Sequence, residues 1–210
     1  MTDISNKKAA LCDLDGVVFD TEPQYTVFWG DMCREYHPEH PGLEHEIKGS
    51  TLDQIYDLWW NGPLASKRDE VTRRLNDFEA QMSFDYVAGF QDFVTGLRRR
   101  GVKTAVVTSS NQPKMESVYR QRPEFKALFD AILTSEDFDE SKPSPDCYLK
   151  AAARFGVSPG ECVVFEDSFN GLKSGRAAGM LVVGLATTNT ADAIAPLSDV
   201  QIEDYLELRI

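Results

Sequence analysis

Short runs of apolar residues recur along the chain and are separated by segments of helical periodicity. The runs have the continuous apolar pattern of strands buried on both faces of a sheet, and they lie at 9–12, 104–107, 131–133, 162–165 and 181–185. Helical patterns lie between them, near 90–97, from 113 onward, at 145–155 and at 171–178. Strands that alternate with helices favour parallel pairing with right-handed crossovers. The pattern therefore predicts an α/β fold with a doubly wound parallel sheet.

Residues 21–86 interrupt this alternation, because they contain no strand pattern. Apolar and aromatic residues recur there at helical spacing, in three groups: Tyr25, Phe28, Trp29, Met32 and Cys33; Leu52, Ile55, Tyr56 and Trp59; Leu75, Phe78 and Met82. Prolines and glycines near 38–42 and 61–63 separate the groups. We expect a helical cap domain at 21–86, whose aromatic residues form its own core, inserted into an α/β core domain made of residues 1–20 and 87–210.

Charge and cysteine content narrow the class of partner. The 210 residues carry a formal net charge of −12, which argues against a nucleic-acid or anionic-membrane surface. It leaves a phosphorylated small molecule open, because a local cation can overrule the overall field. The four cysteines form no Cys-x-x-Cys pair, and Cys12 and Cys162 lie in apolar runs as reduced core residues. With neither a signal-peptide pattern nor an apolar segment of bilayer length, we expect a cytoplasmic protein; its oligomeric state stays open, with a monomer plausible.

Two aspartates and a glycine directly follow the first predicted strand. Asp13 and Asp15 alternate with Leu14, so both carboxylates are expected on one side of the strand end, where open α/β sheets bind ligands. Such carboxylates repel each other unless a proton or a cation lies between them, and Mg²⁺ suits oxygen ligands. Gly16 lets the backbone turn sharply near a bound group. A calcium loop would need Glu at the position of Gln24; a solvated turn is the other alternative.

Further polar groups belong to the same edge of the predicted sheet. They are Thr108, Ser109 and Ser110 after one strand, Lys142 in a proline-rich loop, and Glu166 and Asp167 after another strand. Each alone has an ordinary explanation as a helix cap or a solvated side chain, but their joint order indicates a site. Acids hold a cation, while hydroxyl, main-chain N–H and ammonium groups bind an anion, most simply a phosphoryl group. An aspartate there can act as nucleophile, and a second carboxyl as general acid and base.

These motifs resemble those of the haloacid-dehalogenase superfamily, in the subclass with a helical cap, near the β-phosphoglucomutase-like phosphatases. Four ordered segments carry the resemblance over nearly the whole chain: Asp13-Leu-Asp15-Gly-Val, Thr108, Lys142-Pro-x-Pro-Asp146, and Glu166-Asp167-Ser168 followed by Gly171 and Ala177-Ala-Gly-Met180. The segment Lys48-Gly49-Ser50 resembles the substrate-facing loop of the cap. The resemblance implies a Rossmann-like core sheet with the strand order 5-4-1-2-3.

The resemblance also implies a role for each motif residue. Asp13 would be the nucleophile and Asp15 the general acid and base. Thr108 and Lys142 would hold the phosphoryl group. The further residues implied in binding the phosphate or the rest of the substrate are Gly16, Ser109, Ser110, Lys48, Gly49 and Ser50.

The implied cofactor is Mg²⁺, held by Asp13, by the main-chain carbonyl of Asp15 and by Asp167, with Glu166 in support. The function this favours is Mg²⁺-dependent hydrolysis of a small phosphorylated metabolite, a sugar phosphate in the first place. The reaction would pass through an aspartyl-phosphate, and the partner of the protein would be that small-molecule substrate.

Departures from the family pattern separate the competing functions. In the mutase, a histidine lies in the linker to the cap and an arginine follows the Lys-Gly loop. This chain has Tyr25 and Leu52 at those two positions. A sugar-phosphate mutase is therefore the second hypothesis. Asp15 argues against the dehalogenase branch, which lacks a second aspartate. No Schiff-base lysine of the phosphonate-hydrolysing branch is assigned. A phospho-accepting signalling receiver is disfavoured because it has no helical cap and carries its aspartate after the third strand, where 131–134 ends without one.

Overall fold

A parallel sheet of six strands forms the centre of the computed structural model, which describes residue 4, residues 6–206 and residue 208. The strands are β1 (Ala9–Cys12), β2 (Lys103–Val107), β3 (Ala131–Leu133), β4 (Cys162–Glu166), β5 (Leu181–Leu185) and β6 (Val200–Ile202). Their spatial order is β3-β2-β1-β4-β5-β6. The predicted order 5-4-1-2-3 is the same order counted from the opposite edge, and it is confirmed. The sequence analysis missed β6, which has only three residues and a polar Gln201 at its centre.

Helices cover both faces of the sheet and form the block between β1 and β2. The α-helices are α1 (Glu22–Tyr36), α2 (Leu43–Glu46), α3 (Leu52–Leu58), α4 (Arg68–Glu79), α5 (Phe90–Arg99), α6 (Gln112–Gln121), α7 (Asp146–Phe155), α8 (Phe169–Ala177) and α9 (Ala191–Ile194). Short 3₁₀ segments lie at Gly62–Lys67, Phe125–Leu128, Ser135–Asp137, Pro159–Glu161 and Ala195–Leu197.

The strand side chains alternate between two apolar layers. Ala10 and Cys12 of β1 face a layer that includes residues of α5 and α6. Ala9 and Leu11 face the opposite layer, which includes residues of α7 and α8. All four side chains of β1 are buried, as its continuous apolar run predicted. The prediction of a doubly wound α/β fold is confirmed.

The helices α1 to α4 have an apolar core of their own. Its buried members include Trp29 of α1, Leu43 of α2, Ile55 of α3 and Leu75 of α4, packed with Trp60. The aromatic and apolar spacing at 21–86 therefore produced helices with a shared core, as expected, but Met82 was wrongly included: it follows the end of α4 and packs in an apolar layer of the sheet.

Two antiparallel linkers join this helical block, the cap, to the sheet. The main-chain N–H of Asp20 donates to the carbonyl of Asp85 at 2.8 Å, and that of Val87 to the carbonyl of Val18 at 3.0 Å. The linkers lie near the predicted boundaries at 20/21 and 86/87, which stay predictions. Residues 1–3, 5, 207, 209 and 210 of the predicted core domain lie outside the described residues.

The structure also bears on the expectations of reduced cysteines and of no membrane-spanning segment. Cys12, Cys33, Cys147 and Cys162 are all buried and free of disulfides, and burial raises the pKa of the Cys162 thiol to about 11. Within the described part of the chain, none of the helices combines the length and the apolar character needed to cross a bilayer.

Candidate active site

The carboxyl edge of the sheet and the inner face of the cap enclose one cavity of about 130 Å³. From the sheet side it is lined by Asp13, Asp15, Thr108, Ser109, Ser110, Asn111, Lys114, Lys142, Asp167 and Ser168. From the cap it is lined by Glu22, Tyr25, Trp29, Glu44, Ile47, Lys48, Gly49, Ser50, Leu52, Ile55, Leu75 and Glu79. Of the site residues that the sequence predicted, Glu166 and Gly16 lie behind this lining, where they contact Lys142 and Asp167.

Lys142 is the buried cation at the centre of the site. Its Nζ donates to Asp13 Oδ1 at 2.6 Å, to Glu166 Oε1 at 2.6 Å and to the carbonyl of Val107 at 3.1 Å. Burial disfavours the ammonium, but the two carboxylates outweigh burial and raise the pKa of Lys142 above its usual value. Lys142 therefore remains a cation next to Asp13.

Three carboxylates form a compact acidic group. Oxygens of Asp13, Glu166 and Asp167 lie within 4.8 Å of one another. Burial is the main cause that raises the pKa of Asp13 from 3.8 to about 7, with Lys142 opposing it. Burial, followed by the negative charge of neighbouring acids, also raises the pKa of Asp167 well above its usual value. A bound cation would stabilise the ionised form of these acids, because its charge offsets both the cost of their burial and their mutual repulsion.

Glu166 is held by the protein on both of its oxygens. Oε1 accepts from Lys142 and, at 2.9 Å, from the hydroxyl of Tyr148. Oε2 accepts from the main-chain N–H groups of Asp167 and Ser168 at 3.0 and 3.2 Å. A Cβ at Gly171 would lie 1.8 Å from Glu166 Oε1. The glycine in α8 therefore makes room for this carboxylate, and Glu166 orients Lys142 and the loop after β4.

Gly16 allows the first loop to approach the acidic group. Its φ is +70°, and a Cβ there would lie 2.1 Å from Asp167 Oδ2. Any other residue would displace the carboxylate of Asp167 or strain the backbone. The other contact of Asp167 Oδ2 is the hydroxyl of Thr188, which donates to it.

Asp15 lines the same cavity as Asp13, but its carboxylate has different partners. Oδ1 accepts from the hydroxyl of Thr21 at 2.6 Å. Oδ2 accepts from the hydroxyl of Ser110 at 3.3 Å and from the ammonium of Lys114. The Asp15 carboxylate is thus separate from the three-acid group, and the metal contact expected of Asp15 through its main-chain carbonyl stays a prediction.

The loop after β2 presents a row of hydroxyls. Thr108 is buried, and its Oγ1 accepts from the main-chain N–H of Ser110 at 3.0 Å. Ser109 Oγ is buried in the cavity lining without a hydrogen-bond partner among the described residues. The loop ends at Asn111, which caps α6 by accepting from the N–H of Lys114 at 3.2 Å. Hydroxyl and N–H donors here suit an anion in the cavity.

The predicted cap loop packs directly against the loop after β4. A Cβ at Gly49 would lie 2.4 Å from Ser168 Oγ, and Ser50 Oγ accepts from Asn170 at 3.4 Å. Lys48 forms an ion pair with Glu22 at 3.0 Å, with both side chains nearly buried. All three residues line the cavity, their role towards a substrate stays a prediction, and the pairing of Lys48 was not predicted from the sequence.

A second contact joins α3 to the lysine loop of the core. The side chain of Gln54 completes the capping box of α3 by accepting from the N–H of Thr51 at 2.9 Å. Its amide nitrogen also donates to the main-chain carbonyl of Lys142 at 3.0 Å. The cap is therefore closed over the core in this structure.

Sequence reasoning missed several polar residues of the site, among them Glu22, Glu79, Lys114 and Thr188. A signal existed for Thr188, because it follows the carboxyl end of β5 as the other site residues follow their strands. Lys114 lies in the first turn of the helix that begins after the hydroxyl loop, a position that also faces this edge of the sheet. No local pattern marked Glu22 and Glu79, which reach the cavity only through packing of the cap.

Comparison with known proteins agrees with this geometry. The haloacid dehalogenase-like hydrolase family model matches residues 7–179. Hexitol phosphatase B of Escherichia coli (strain K12) is 29% identical, with 95% of this chain and 93% of that protein covered. The β-phosphoglucomutase of Bacillus subtilis (strain 168) is 27% identical, with 85% and 83% covered. The bifunctional riboflavin kinase/FMN phosphatase of Arabidopsis thaliana is 29% identical over 98% of this chain, which spans only 56% of that protein.

A solved structure has the same fold. The crystal structure of a HAD hydrolase, family IA, variant 3, from Entamoeba histolytica matches with a TM-score of 0.81 and 21% identity, covering 97% of this chain and 96% of that chain. At that identity the likeness bears on the fold alone, and it supports the sheet with helices on both faces.

Proposed function

We propose that this chain, which belongs to the haloacid dehalogenase-like hydrolase family, hydrolyses a small sugar or polyol phosphate with the help of Mg²⁺. The class of the enzyme is that of the phosphomonoester hydrolases, in line with its relatives. The observation that carries the proposal is the position of Lys142, whose ammonium lies 2.6 Å from both Asp13 and Glu166 at the carboxyl edge of the sheet. A carboxylate nucleophile and a fixed cation for the phosphoryl oxygens are thereby held side by side.

The reaction follows from the two aspartates of the first loop. A carboxylate oxygen of Asp13 attacks phosphorus and forms an aspartyl-phosphate, while the bond from phosphorus to the leaving oxygen breaks. Asp15 gives its proton to that leaving oxygen. Asp15 then takes a proton from a water molecule that attacks the phosphorus, so that inorganic phosphate leaves and Asp13 is regenerated.

The acidic group fits a divalent cation. The oxygens of Asp13, Glu166 and Asp167 lie within 4.8 Å of one another, and Mg²⁺ would be held by oxygen ligands of this kind. Glu166 already has partners on both oxygens. We therefore assign the direct contacts to Asp13, Asp167 and the Asp15 carbonyl, with Glu166 in support. The bound ion would neutralise charge on the phosphoryl group and on the acids.

Lys142 and the hydroxyl loop bind the transferred group in this proposal. Lys142 stays protonated because its two carboxylate partners outweigh burial. Thr108, Ser109 and Ser110 add hydroxyl or N–H donors to the cavity lining. Donors that are fixed before the reaction stabilise the charge that develops on the phosphoryl oxygens.

The cap side of the cavity favours a neutral polyhydroxy leaving group. Trp29, Ile55 and Leu75 offer an apolar wall, and Glu22 and Glu79 offer carboxylate oxygens that accept from hydroxyl groups. Burial raises the pKa of Glu79 and that of Glu22, so bringing a further negative charge next to them is costly.

The described part of the cavity lining offers no unpaired cation for a second phosphate. Among the described residues that line it, the basic ones are Lys48, Lys114 and Lys142, and each forms an ion pair with a carboxylate. Leu52, at the position that corresponds to an arginine of the mutase, adds an apolar side chain to the lining. A bisphosphate intermediate would have to break one of these pairs. Hydrolysis is therefore favoured over mutase chemistry.

The test is release of inorganic phosphate from a panel of sugar, polyol and other small phosphates, with Mg²⁺ and with EDTA. We expect hydrolysis of hexose, pentose or hexitol phosphates that depends on Mg²⁺. The mutase is tested with β-glucose 1-phosphate and a catalytic amount of glucose 1,6-bisphosphate. Formation of glucose 6-phosphate faster than inorganic phosphate would favour the mutase, and no turnover of any phosphate ester would overturn the proposal.

A further inference from the structure

Lys114 is a buried cation that the reaction described above does not use. It lies in the first turn of α6, and only 3% of its surface is exposed. Its Nζ contacts Asp15 Oδ2 and lies 4.6 Å from the centre of the Tyr25 ring. Removing a lysine ammonium from water costs free energy unless a carboxylate and other favourable groups surround it. The location of Lys114 therefore depends on Asp15.

Asp15 depends on Lys114 in turn. Its carboxylate is held by the hydroxyls of Thr21 and Ser110 and by Lys114, and these donors come from two segments of the chain, the linker to the cap and the stretch around the start of α6. All three hydrogen bonds are accepted by a charged carboxylate, but only Lys114 is itself charged, so direct charge attraction adds to its hydrogen bond. The lysine is thus the strongest of the contacts that fix the direction of this carboxylate.

The cap completes the environment of the lysine. The face of Tyr25 in α1 covers the ammonium, and a desolvated cation–π contact of this kind is favourable. The hydroxyl of Tyr25 donates to Glu79 Oε1 of α4 at 2.7 Å. The negative charges of Glu22 and Glu79 also act on this region of the cavity. The position of Lys114 next to Asp15 is therefore built jointly by the core and the closed cap.

We propose that Lys114 is a positioning residue, which holds the Asp15 carboxylate at the place where it exchanges a proton with the leaving oxygen once the cap has closed. This inference rests on the proposed phosphatase function and adds to it a residue outside the family motifs quoted above. Its effect should depend on the leaving group. A sugar or polyol alkoxide leaves only with a proton, whereas a nitrophenolate leaves without one.

The experiment compares Lys114→Met with the wild type on two substrates. One is p-nitrophenyl phosphate, and the other is the alkyl phosphate that the wild type hydrolyses fastest among glucose 6-phosphate, mannitol 1-phosphate and ribose 5-phosphate. We expect kcat/KM to fall at least about tenfold further on the alkyl ester than on the aryl ester. A general acid contributes roughly a hundredfold or more to the rate, and loss of its positioning should remove a part of that contribution. Lys114→Arg should restore most of the activity on the alkyl ester, because it keeps the charge.

A double mutant tests whether Lys114 acts through Asp15. In an Asp15→Ala background, Lys114→Met should add less than about a twofold loss, because residues that act as one unit are not additive. Lys126→Met is the matched control. Lys126 is exposed, its ammonium lies 3.8 Å from the centre of the Tyr119 ring, and it is remote from the cavity lining. This control should leave kcat/KM unchanged on both esters.

Equal losses on the alkyl and aryl esters would overturn the inference, because they would indicate a structural role. A loss that persists undiminished in the Asp15→Ala background would also overturn it, and would indicate direct contact of Lys114 with the substrate. Circular dichroism verifies that each variant is folded, and Lys114→Gln replaces Lys114→Met in the same comparison if the methionine variant does not fold. A wild type that is inactive on every phosphate ester would refute the proposed function itself, whereas an active wild type with equal losses refutes this inference alone.

Discussion

Replacing Asp13 by Asn should make the metal-free protein more stable, although it removes the nucleophile. The carboxylate of Asp13 is largely buried, with 13% of the side chain exposed, and lies against two other acids. Its pKa is raised from 3.8 to about 7 even with Lys142 at 2.6 Å. The charged form of Asp13 therefore costs stability in the folded protein when no cation is bound.

The size of the effect follows from the pKa. A shift of one unit corresponds to about 1.4 kcal/mol, so the upper limit is about 4 kcal/mol at a pH above 7. Lys142 loses one ion pair in the variant, but it keeps Glu166 at 2.6 Å and the Val107 carbonyl at 3.1 Å. We therefore expect about half of the limit, about 2 kcal/mol, which for a domain of this size raises Tm by about 4–8 °C.

The dependence on pH has a defined sign. Between pH 4 and 7 the folded protein holds a proton on Asp13 that the unfolded chain has lost. The free energy of unfolding of the wild type therefore falls, relative to that of the variant, as the pH rises through this window. The difference should be near zero at pH 4 and complete at pH 8.

Thermal unfolding at pH 4, 6 and 8, with EDTA and with Mg²⁺, measures this difference. Mg²⁺ should raise the Tm of the wild type more than that of Asp13→Asn, because a ligand stabilises the folded state that binds it. The control is Asp77→Asn on the exposed side of α4, which should change the free energy of unfolding by less than about 0.5 kcal/mol. A variant that is less stable than the wild type at pH 8 in EDTA would refute the reasoning.

Three further predictions concern turnover. Asp13→Asn should retain less than about one hundredth of the wild-type kcat; a larger residue of activity, measured by phosphate release on protein freed of wild-type contamination, would contradict the role of nucleophile. Exhaustive chelation should abolish hydrolysis and added Mg²⁺ should restore it, because the acids at Asp13 and Asp167 would otherwise repel a phosphate dianion; full activity in EDTA would exclude this. Lys48→Met should lower kcat/KM on a sugar phosphate at least about tenfold more than on p-nitrophenyl phosphate. A second variant adds Glu22→Gln, so that no buried carboxylate loses its partner. Equal losses on both substrates would show that Lys48 does not recognise the leaving group.

The core sheet could be predicted from the sequence because the apolar pattern that marks each strand is local. Each long strand contains a continuous apolar run, because strands that are buried on both faces consist mostly of apolar residues. The run at 9–12 and its neighbours therefore gave the strands and, through the resemblance, their order. The strand β6 escaped because three residues around Gln201 have no such pattern. Its pairing with β5 depends on tertiary contact.

The residues of the site also divide into those that the sequence could predict and those that it could not. Asp13, Thr108 and Asp167 follow strand ends and Glu166 is the last residue of β4, and parallel strands bring their carboxyl ends to one edge. Chain position alone therefore predicted that they would meet. Thr188 obeys the same rule and could have been predicted.

Contacts between the cap and the core could not be predicted, because they join residues far apart in sequence. Gln54 and Lys142 are 88 residues apart, and Ser50 and Asn170 are 120. Gln54 illustrates the reason: its capping box with Thr51 is local and could be read from the sequence, but its donation to Lys142 exists only when the cap has docked.

The same contacts give a physical reason for cap closure to accompany the chemistry. The ring of Tyr25 and the amide of Gln54 belong to the cap, while Lys114 and the Lys142 carbonyl belong to the core. Opening the cap would expose the Lys114 ammonium to water, and a solvated ammonium holds a carboxylate weakly. Asp15 would then lose part of its orientation at the same time as the cavity admits water. A substrate whose leaving group fills the cap side therefore favours the closed state in which Asp15 is held in place, and a poorly fitting ester is attacked without that advantage.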